Sequence, residues 1–194
     1  MQVAVVVPVK AFRAAKARLA PALSPPERAA LARRMATGVV RAAAPLPVTV
    51  VCDDPEVRAW AEDLGTDVCW SPGLGLDGAV SAGVAQVAAA GAARAVVAHA
   101  DLPYARTFEP LAGGSGVLLV PDRHEDGTNV IALPTGCGFG FAYGPGSYRR
   151  HRAEAERLGL AVTVRADDDL GWDVDRPEDL DHPTTPLRGG RTGR

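Results

Sequence analysis

The chain has 194 residues, 47% of them hydrophobic and 23% charged, with a formal net charge of −2. That length suits one domain with a full core, and a charge so close to zero excludes the global electrostatics of a nucleic-acid or anionic-membrane binder. No apolar run approaches the ~20 residues of a membrane helix. The first residues lack the charged start and cleavage site of a secretory signal. Three cysteines, Cys52, Cys69 and Cys137, form no C-x-x-C pair. An odd, scattered set argues against a disulfide framework or a zinc site. The expectation is a soluble, cytoplasmic protein that binds neither nucleic acid nor membrane; a homodimer is left open.

Residues 2–9 read as a continuous apolar strand, the pattern of a strand buried on both faces of a parallel sheet. A cationic stretch follows, with Lys10, Arg13, Lys16 and Arg18. It holds the only two lysines; every other cationic side chain is arginine. Lysine is a compact point charge on a flexible stem, whereas arginine is a planar fork. Ser24 with Glu27 three residues on is a capping box, and Pro25 suits a first helical turn. Leu31, Met35, Val39 and Ala42 then recur at helical spacing, and Pro45 ends that helix. A second strand spans 48–52. Asp53-Asp54-Pro55 starts a short helix to Leu64, closed by Gly65, and 67–70 is a third strand.

A glycine-bearing loop precedes a helix predicted over 77–90. The fourth strand, 95–100, runs into Asp101-Leu102-Pro103. Residues 117–120 and 129–133 read as two further strands with a polar loop between them. Ser147 is expected to cap a helix to Leu158, and 161–164 is the last strand. Asp175-Arg176-Pro177-Glu178 opens a closing helical turn. Residues 183–194 read as a disordered polar tail, which leaves 1–182 as the domain. Strands alternating with helices predict an α/β domain with a mixed, mostly parallel sheet flanked by helices. Ligands of such sheets bind at the carboxyl ends of the strands.

Several candidates fall there. Asp101 sits where a strand leaves the sheet. Asp173 and Asp175 alternate in D-V-D, so an extended backbone puts both on one face. Such carboxylates suit Mg²⁺, which keeps waters and takes few protein oxygens. Either acid alone reads better as a turn or cap residue; Asp101 together with Asp173 favours a metal. The run Asp167, Asp168, Asp169 reads as a solvated face. The cations between Lys10 and Arg18 would neutralise a phosphate chain, although no P-loop is present; the alternative is a solvated basic helix start. Glycines at 136, 138, 140, 144 and 146 precede Ser147. Glycine lets the backbone approach a ligand, and a helix start offers N–H groups to anions. Gly144, Gly146 and Ser147 are therefore candidate anion holders, with Thr128 and Asn129 of D-G-T-N as further contacts; plain turns are the alternative. His99 and His124 read as ordinary core or loop residues. There is no G-x-S-x-G elbow and no G-x-G-x-x-G after the first strand, which disfavours a serine hydrolase and a Rossmann cofactor.

Taken together, "VVPVKAFRAAKARL", "GLGLDGAV", "AHADLP", "DGTNVIAL", "FAYGPGSYRRH" and "DVDRPEDL" resemble the 2-phospho-L-lactate guanylyltransferases and their relatives acting on phosphoenolpyruvate. The similarity runs over about residues 3–181, in the family's order. It implies a nucleotide-diphospho-sugar-transferase (GT-A-like) fold and transfer of GMP from GTP to phosphoenolpyruvate or 2-phospho-L-lactate. Pyrophosphate is released, in the biosynthesis of the deazaflavin coenzyme F-420. By the same resemblance Asp101, Asp173 and Asp175 would hold Mg²⁺, with two ions per site. Lys10 or Lys16 would meet the phosphates, with Lys10, Lys16 and Asp101 as the catalytic set. Pro8, Lys10, Arg18, Gly73, Gly75 and Asp77 would bind the nucleotide. Thr128, Asn129, Gly144, Gly146 and Ser147 would bind the phosphorylated acid. Asp77 stands where the family pattern has asparagine; its carboxylate would still accept guanine N–H bonds. Two rival readings keep the scaffold and change the activity: a different nucleotidyl- or glycosyltransferase, and a GTP-binding sensor without turnover.

Overall fold

The run VAVVVP forms β1 (Val3–Pro8), buried along almost its whole length. Its side chains alternate between two layers, because successive strand residues face opposite sides of a sheet. Val5 and Val7 join one core with Val39, Trp60 and Leu102. Ala4 and Val6 join the other with Val51, Val80 and Ala155. The structure is a computed structural model that describes residues 2–182; the tail expected to be disordered, 183–194, lies outside the described residues.

β1 pairs in parallel with β2 (Val48–Cys52) and with β4 (Arg94–Ala98), and β3 (Asp67–Trp70) lies parallel beyond β2. On the far side β6 (Thr128–Pro134) runs antiparallel to both β4 and β5 (Val117–Pro121). Only residues 122–127 connect β5 to β6, far fewer than a parallel crossover needs. β7 (Val162–Val164) closes the sheet parallel to β5. The order is β3-β2-β1-β4-β6-β5-β7, mixed and mostly parallel as expected. α1 (Pro25–Ala42) and α2 (Pro55–Asp63) cover one face. α3 (Gly75–Ala89) and α4 (Ser147–Arg157) cover the other. No helix among the described residues is long and apolar enough to cross a membrane.

The antiparallel turn of β6 has a consequence for the site. Val130 is paired with Ala98 at the end of β4, so Thr128 and Asn129 start β6 at the same rim where β1 and β4 end. Residues from both halves of the sheet thus meet at one edge.

The predicted helix starts hold in part. Glu27 reaches back to the Ser24 N–H at 2.7 Å, and Asp54 accepts from the Glu56 and Val57 N–H groups at 3.0 and 3.3 Å. Two expectations are corrected. α3 begins at Gly75, not at Asp77. The residue capping α4 is Gly146, in a left-handed conformation (φ 74°), and Ser147 is already the first helical residue. The turn from Gly144 to Gly146 needs φ of 97° and 74° at its two glycines, which a serine would adopt only under strain. Arg94 lies outside the predicted fourth strand, yet it opens β4 and is buried. Its guanidinium donates to the Gly116 and Ala132 carbonyls at 2.7 and 3.2 Å.

Gly83 marks the closest approach of α3 to the sheet. A Cβ there would lie 2.5 Å from Val51 Cγ2 and 2.8 Å from Val6 Cγ1. Both neighbours are buried strand side chains with nowhere to move. Gly83→Ala is therefore expected to lower stability by about 1–2 kcal/mol despite the helix propensity that alanine adds. Thermal unfolding should show it as a fall of roughly 3–6 °C.

Candidate active site

The rim carries a cleft of about 790 Å³, a volume in the range of small-molecule sites. One wall is the segment after β1, with Pro8, Lys10, Lys16 and Arg18. The floor is the end of β4 with His99 and Asp101, and the far wall joins Thr128, Asn129, Gly144 and Ser147. Asp173 and Asp175 complete it from the C-terminal segment, drawn in by a hydrogen bond from the Val174 N–H to the Asp101 carbonyl at 3.3 Å.

The two lysines differ sharply. Lys10 is exposed in the cleft and makes no ion pair among the described residues. Lys16 is nearly enclosed, and its Nζ lies 2.5 Å from Asp101 Oδ2 and 3.0 Å from Asp175 Oδ1. Its backbone is left-handed (φ 57°, ψ 39°), a conformation that costs a non-glycine residue on the order of 1 kcal/mol or more. The paired acids offset that cost. Burial opposes the Lys16 charge, but Asp101 and Asp175 outweigh it and raise its pKa above the ordinary value. Burial likewise opposes the Asp101 carboxylate; Lys16 and His99 outweigh it and lower its pKa. Arg18 reaches the other oxygen of Asp175 at 3.2 Å. Arg13 leaves the cleft wall and pairs with the Asp54 cap at 2.7 Å.

Asp173 behaves differently. Burial, then the nearby Asp101, Asp175 and Asp122 carboxylates, push its pKa up to about 6. A carboxyl raised from its ordinary 3.8 binds its proton more tightly in the folded chain than in the unfolded one. The Asp173 contribution to stability is therefore fully present below about pH 4, is lost as pH rises to about 6, and stays lost above that. In metal-free buffer at pH 7.5, Asp173→Asn should be more stable than wild type by on the order of 1–2 kcal/mol. That gain should vanish near pH 4, which denaturant titrations at the two pH values will read.

The acidic groups are hard oxygen donors, and Asp101 Oδ1 is buried with no hydrogen-bond partner. That buried carboxylate oxygen without a partner is a hard donor of the kind a divalent cation takes. Among the described residues no three His, Cys, Asp or Glu side chains form a closed metal cluster. Lys16 instead bridges Asp101 and Asp175. An open set of this kind matches Mg²⁺, which takes one or two carboxylates plus substrate phosphates and water.

Of the predicted site residues, Gly73, Gly75, Asp77 and Gly146 do not line the cleft. Asp77 accepts the Tyr143 N–H at 2.7 Å and so ties α3 to the glycine-rich loop. The start of α4 is also less free than its sequence suggests: the Ser147 and Tyr148 N–H groups are taken by the Gly144 and Asp126 carbonyls at 2.9 and 3.0 Å. His99, expected to be an ordinary core or loop residue, lines the cleft with its Nδ1 4.0 Å from Asp101 Oδ1. The sequence reading missed Arg123 and Asp179. The buried Asp179 carboxylate pairs with Arg123 and accepts the Asp175 and Arg176 N–H groups at 2.8 and 2.6 Å. Arg123 also donates to the Asp173 carbonyl at 3.3 Å and stacks over Trp172 at 4.3 Å. The one available signal was the D-R-P-E-D order, in which Asp179 falls three residues after the Arg176 cap.

A mixed, mostly parallel sheet of this order, covered by helices on both faces, is the fold of the nucleotide-diphospho-sugar transferase class. A chain from Desulfovibrio desulfuricans G20 assigned to those transferases superposes with a TM-score of 0.72 at 17% identity, covering 93% of this chain and 86% of that one; the likeness is one of fold. The chain belongs to the CofC-like guanylyl transferase family, whose model, "Guanylyl transferase CofC like", matches residues 3–184. It is 34% identical over 185 residues to a phosphoenolpyruvate guanylyltransferase of Sphaerobacter thermophilus, across 91% of this chain and 89% of the relative. It is 30% identical over 187 residues to a 2-phospho-L-lactate guanylyltransferase of Methanothermobacter thermautotrophicus, across 93% and 83%.

Proposed function

We propose that this protein moves GMP from GTP onto the phosphate of phosphoenolpyruvate, or of 2-phospho-L-lactate, and releases pyrophosphate, as a step toward coenzyme F-420. The observation that carries this reading is the split cleft. Cations from the segment after β1 face acids from β4 and the C-terminal segment, and Lys16 joins the two. Beyond them lies a separate polar wall from β6 and α4, so one cleft has room for a nucleotide and a second anion.

A phosphate oxygen of the acceptor forms a bond to the α-phosphorus of GTP. The bond from that phosphorus to the bridging oxygen breaks, and its electron pair leaves with pyrophosphate. The nucleophile is already anionic near neutral pH, so no strong general base is required. Lys10, exposed and without an ion pair among the described residues, is the group available to the triphosphate. Lys16 fixes Asp101 and Asp175 and adds positive charge beside the reacting phosphates. Mg²⁺, for which Asp101 and Asp173 offer oxygens, would neutralise the charge of the phosphoryl groups. The Thr128, Asn129, Gly144 and Ser147 wall would hold the acceptor so that its phosphate faces the nucleotide.

Pyrophosphate release tests the reading. With GTP and Mg²⁺, release is expected on adding phosphoenolpyruvate and to depend on both substrates. ATP and CTP should substitute poorly. Rates with the two acceptors, measured side by side, rank them. Release with sugar phosphates alone would move the protein to another transferase activity, and none with any acceptor would favour a sensor.

A further inference from the structure

The function proposed above leaves unused a buried imidazole directly behind the acceptor wall. His151, on α4, is completely enclosed. Its Nε2 lies 3.0 Å from the Ala142 backbone nitrogen, whose N–H points at it, and its Nδ1 lies 3.0 Å from Thr128 Oγ1. The Tyr143 ring packs edge-on against it with centroids 4.8 Å apart, which fixes the ring plane.

The protons follow by elimination. Ala142 N–H can only donate, so Nε2 must accept and carries no proton. A neutral imidazole then has its proton on Nδ1, and Nδ1–H donates to Thr128 Oγ1. An imidazolium would set an N–H against the Ala142 N–H. Burial, then the neighbouring Arg150 guanidinium, push His151 down to about 4; His99 acts in the same direction and Asp77 against it. His151 is thus neutral near pH 7, in agreement with the geometry.

We propose that His151 is a positioning residue that fixes Thr128 as a dedicated hydrogen-bond donor to the anionic acceptor, while holding the 142–144 strip against it. The Thr128 hydroxyl accepts from His151, its one hydrogen-bond partner among the described residues. Its own proton finds no acceptor among the described residues, and Thr128, 2% exposed, stands in the lining of the cleft. A hydroxyl that was free to rotate would lose part of this preorganisation. An acceptor in its place, such as the Nδ1 lone pair of the other tautomer, would compete for the proton. The identity of the ligand rests on the guanylyl-transfer reading; the direction of the hydrogen bonds does not.

Two measurements test this. A long-range ¹H–¹⁵N spectrum of the ligand-free wild type should show His151 protonated on Nδ1 and bare on Nε2; the opposite tautomer, or an imidazolium, overturns the assignment. In kinetics, His151→Leu should raise the acceptor KM by about tenfold, the order of one hydrogen bond to a charged group. The GTP KM should change by less than about twofold, because the nucleotide lies on the other wall. His151→Asn, whose amide N–H can stand where Nδ1–H stood, should recover the acceptor KM to within about threefold of wild type. In a Thr128→Val background, His151→Leu should cost no more than about threefold. Equal tenfold penalties with and without the Thr128 hydroxyl would overturn the proposal, as would an unchanged acceptor KM in a folded His151→Leu protein. The spectrum decides the hydrogen-bond assignment independently of turnover. A wild type that releases no pyrophosphate with any acceptor would instead sink the guanylyl-transfer reading.

Discussion

Asp101→Asn is expected to fold and to lose at least about a thousandfold in kcat/KM, on the order of 4 kcal/mol of transition-state stabilisation. The fold should survive because the link from this position to the C-terminal segment uses the Asp101 carbonyl, which accepts the Val174 N–H at 3.3 Å. Asparagine keeps that carbonyl and the side-chain size. Lys16 also retains Asp175 as a partner at 3.0 Å. What disappears is the negative charge at the centre of the cleft and one of its two carboxylate oxygens. One oxygen holds Lys16, and the other is the buried atom without a partner. Steady-state rates together with a thermal melt separate the two effects. A variant within tenfold of wild-type activity would remove Asp101 from the catalytic set.

The second large effect falls outside the cleft floor. Asp179→Leu should destabilise the protein by about 3 kcal/mol and also abolish most activity. Its carboxylate is the buried hub of the C-terminal segment: it neutralises Arg123 and accepts two backbone N–H groups, those of Asp175 and Arg176. Leucine fills the space but leaves the Arg123 charge and both N–H groups without their acceptor. Once the turn around Asp175 loosens, Asp175 no longer fixes Lys16, so the loss passes into the site. Asp179→Asn keeps one carbonyl oxygen for the N–H groups and should lose less on both counts. Chemical denaturation of the three proteins orders them; equal stability of wild type and the leucine variant would contradict the role.

These two residues also show where sequence reading stops. Asp101 was legible because it follows an apolar run that could only be a buried strand, and ligands gather at the carboxyl ends of such strands. The Ser24–Glu27 box was legible because both partners lie within one turn. Asp179 was not, since its partner Arg123 lies 56 positions away and only the folded topology brings them together. The same holds for His151, whose partners come from β6 and from the loop before α4. The start of α3 at Gly75 was missed because glycines with positive φ (76° and 64° at Gly73 and Gly75) read locally as loop, although the second already begins the helix. Gly146 was missed as a cap for a related reason: the sequence offers a serine, the usual cap, one residue later. The antiparallel placement of β6 follows from its short connection to β5. That placement, more than any motif, brings Thr128 and Asn129 to the rim occupied by Lys10 and Asp101.

The most direct measurement is a ³¹P NMR time course of the protein with GTP, phosphoenolpyruvate and Mg²⁺. Guanylyl transfer should give one pyrophosphate for each new diphosphate linkage, with the phosphoenolpyruvate resonance replaced by a pair of mutually coupled signals. Orthophosphate as the product, or GTP consumed while the phosphoenolpyruvate signal stays unchanged, would contradict it.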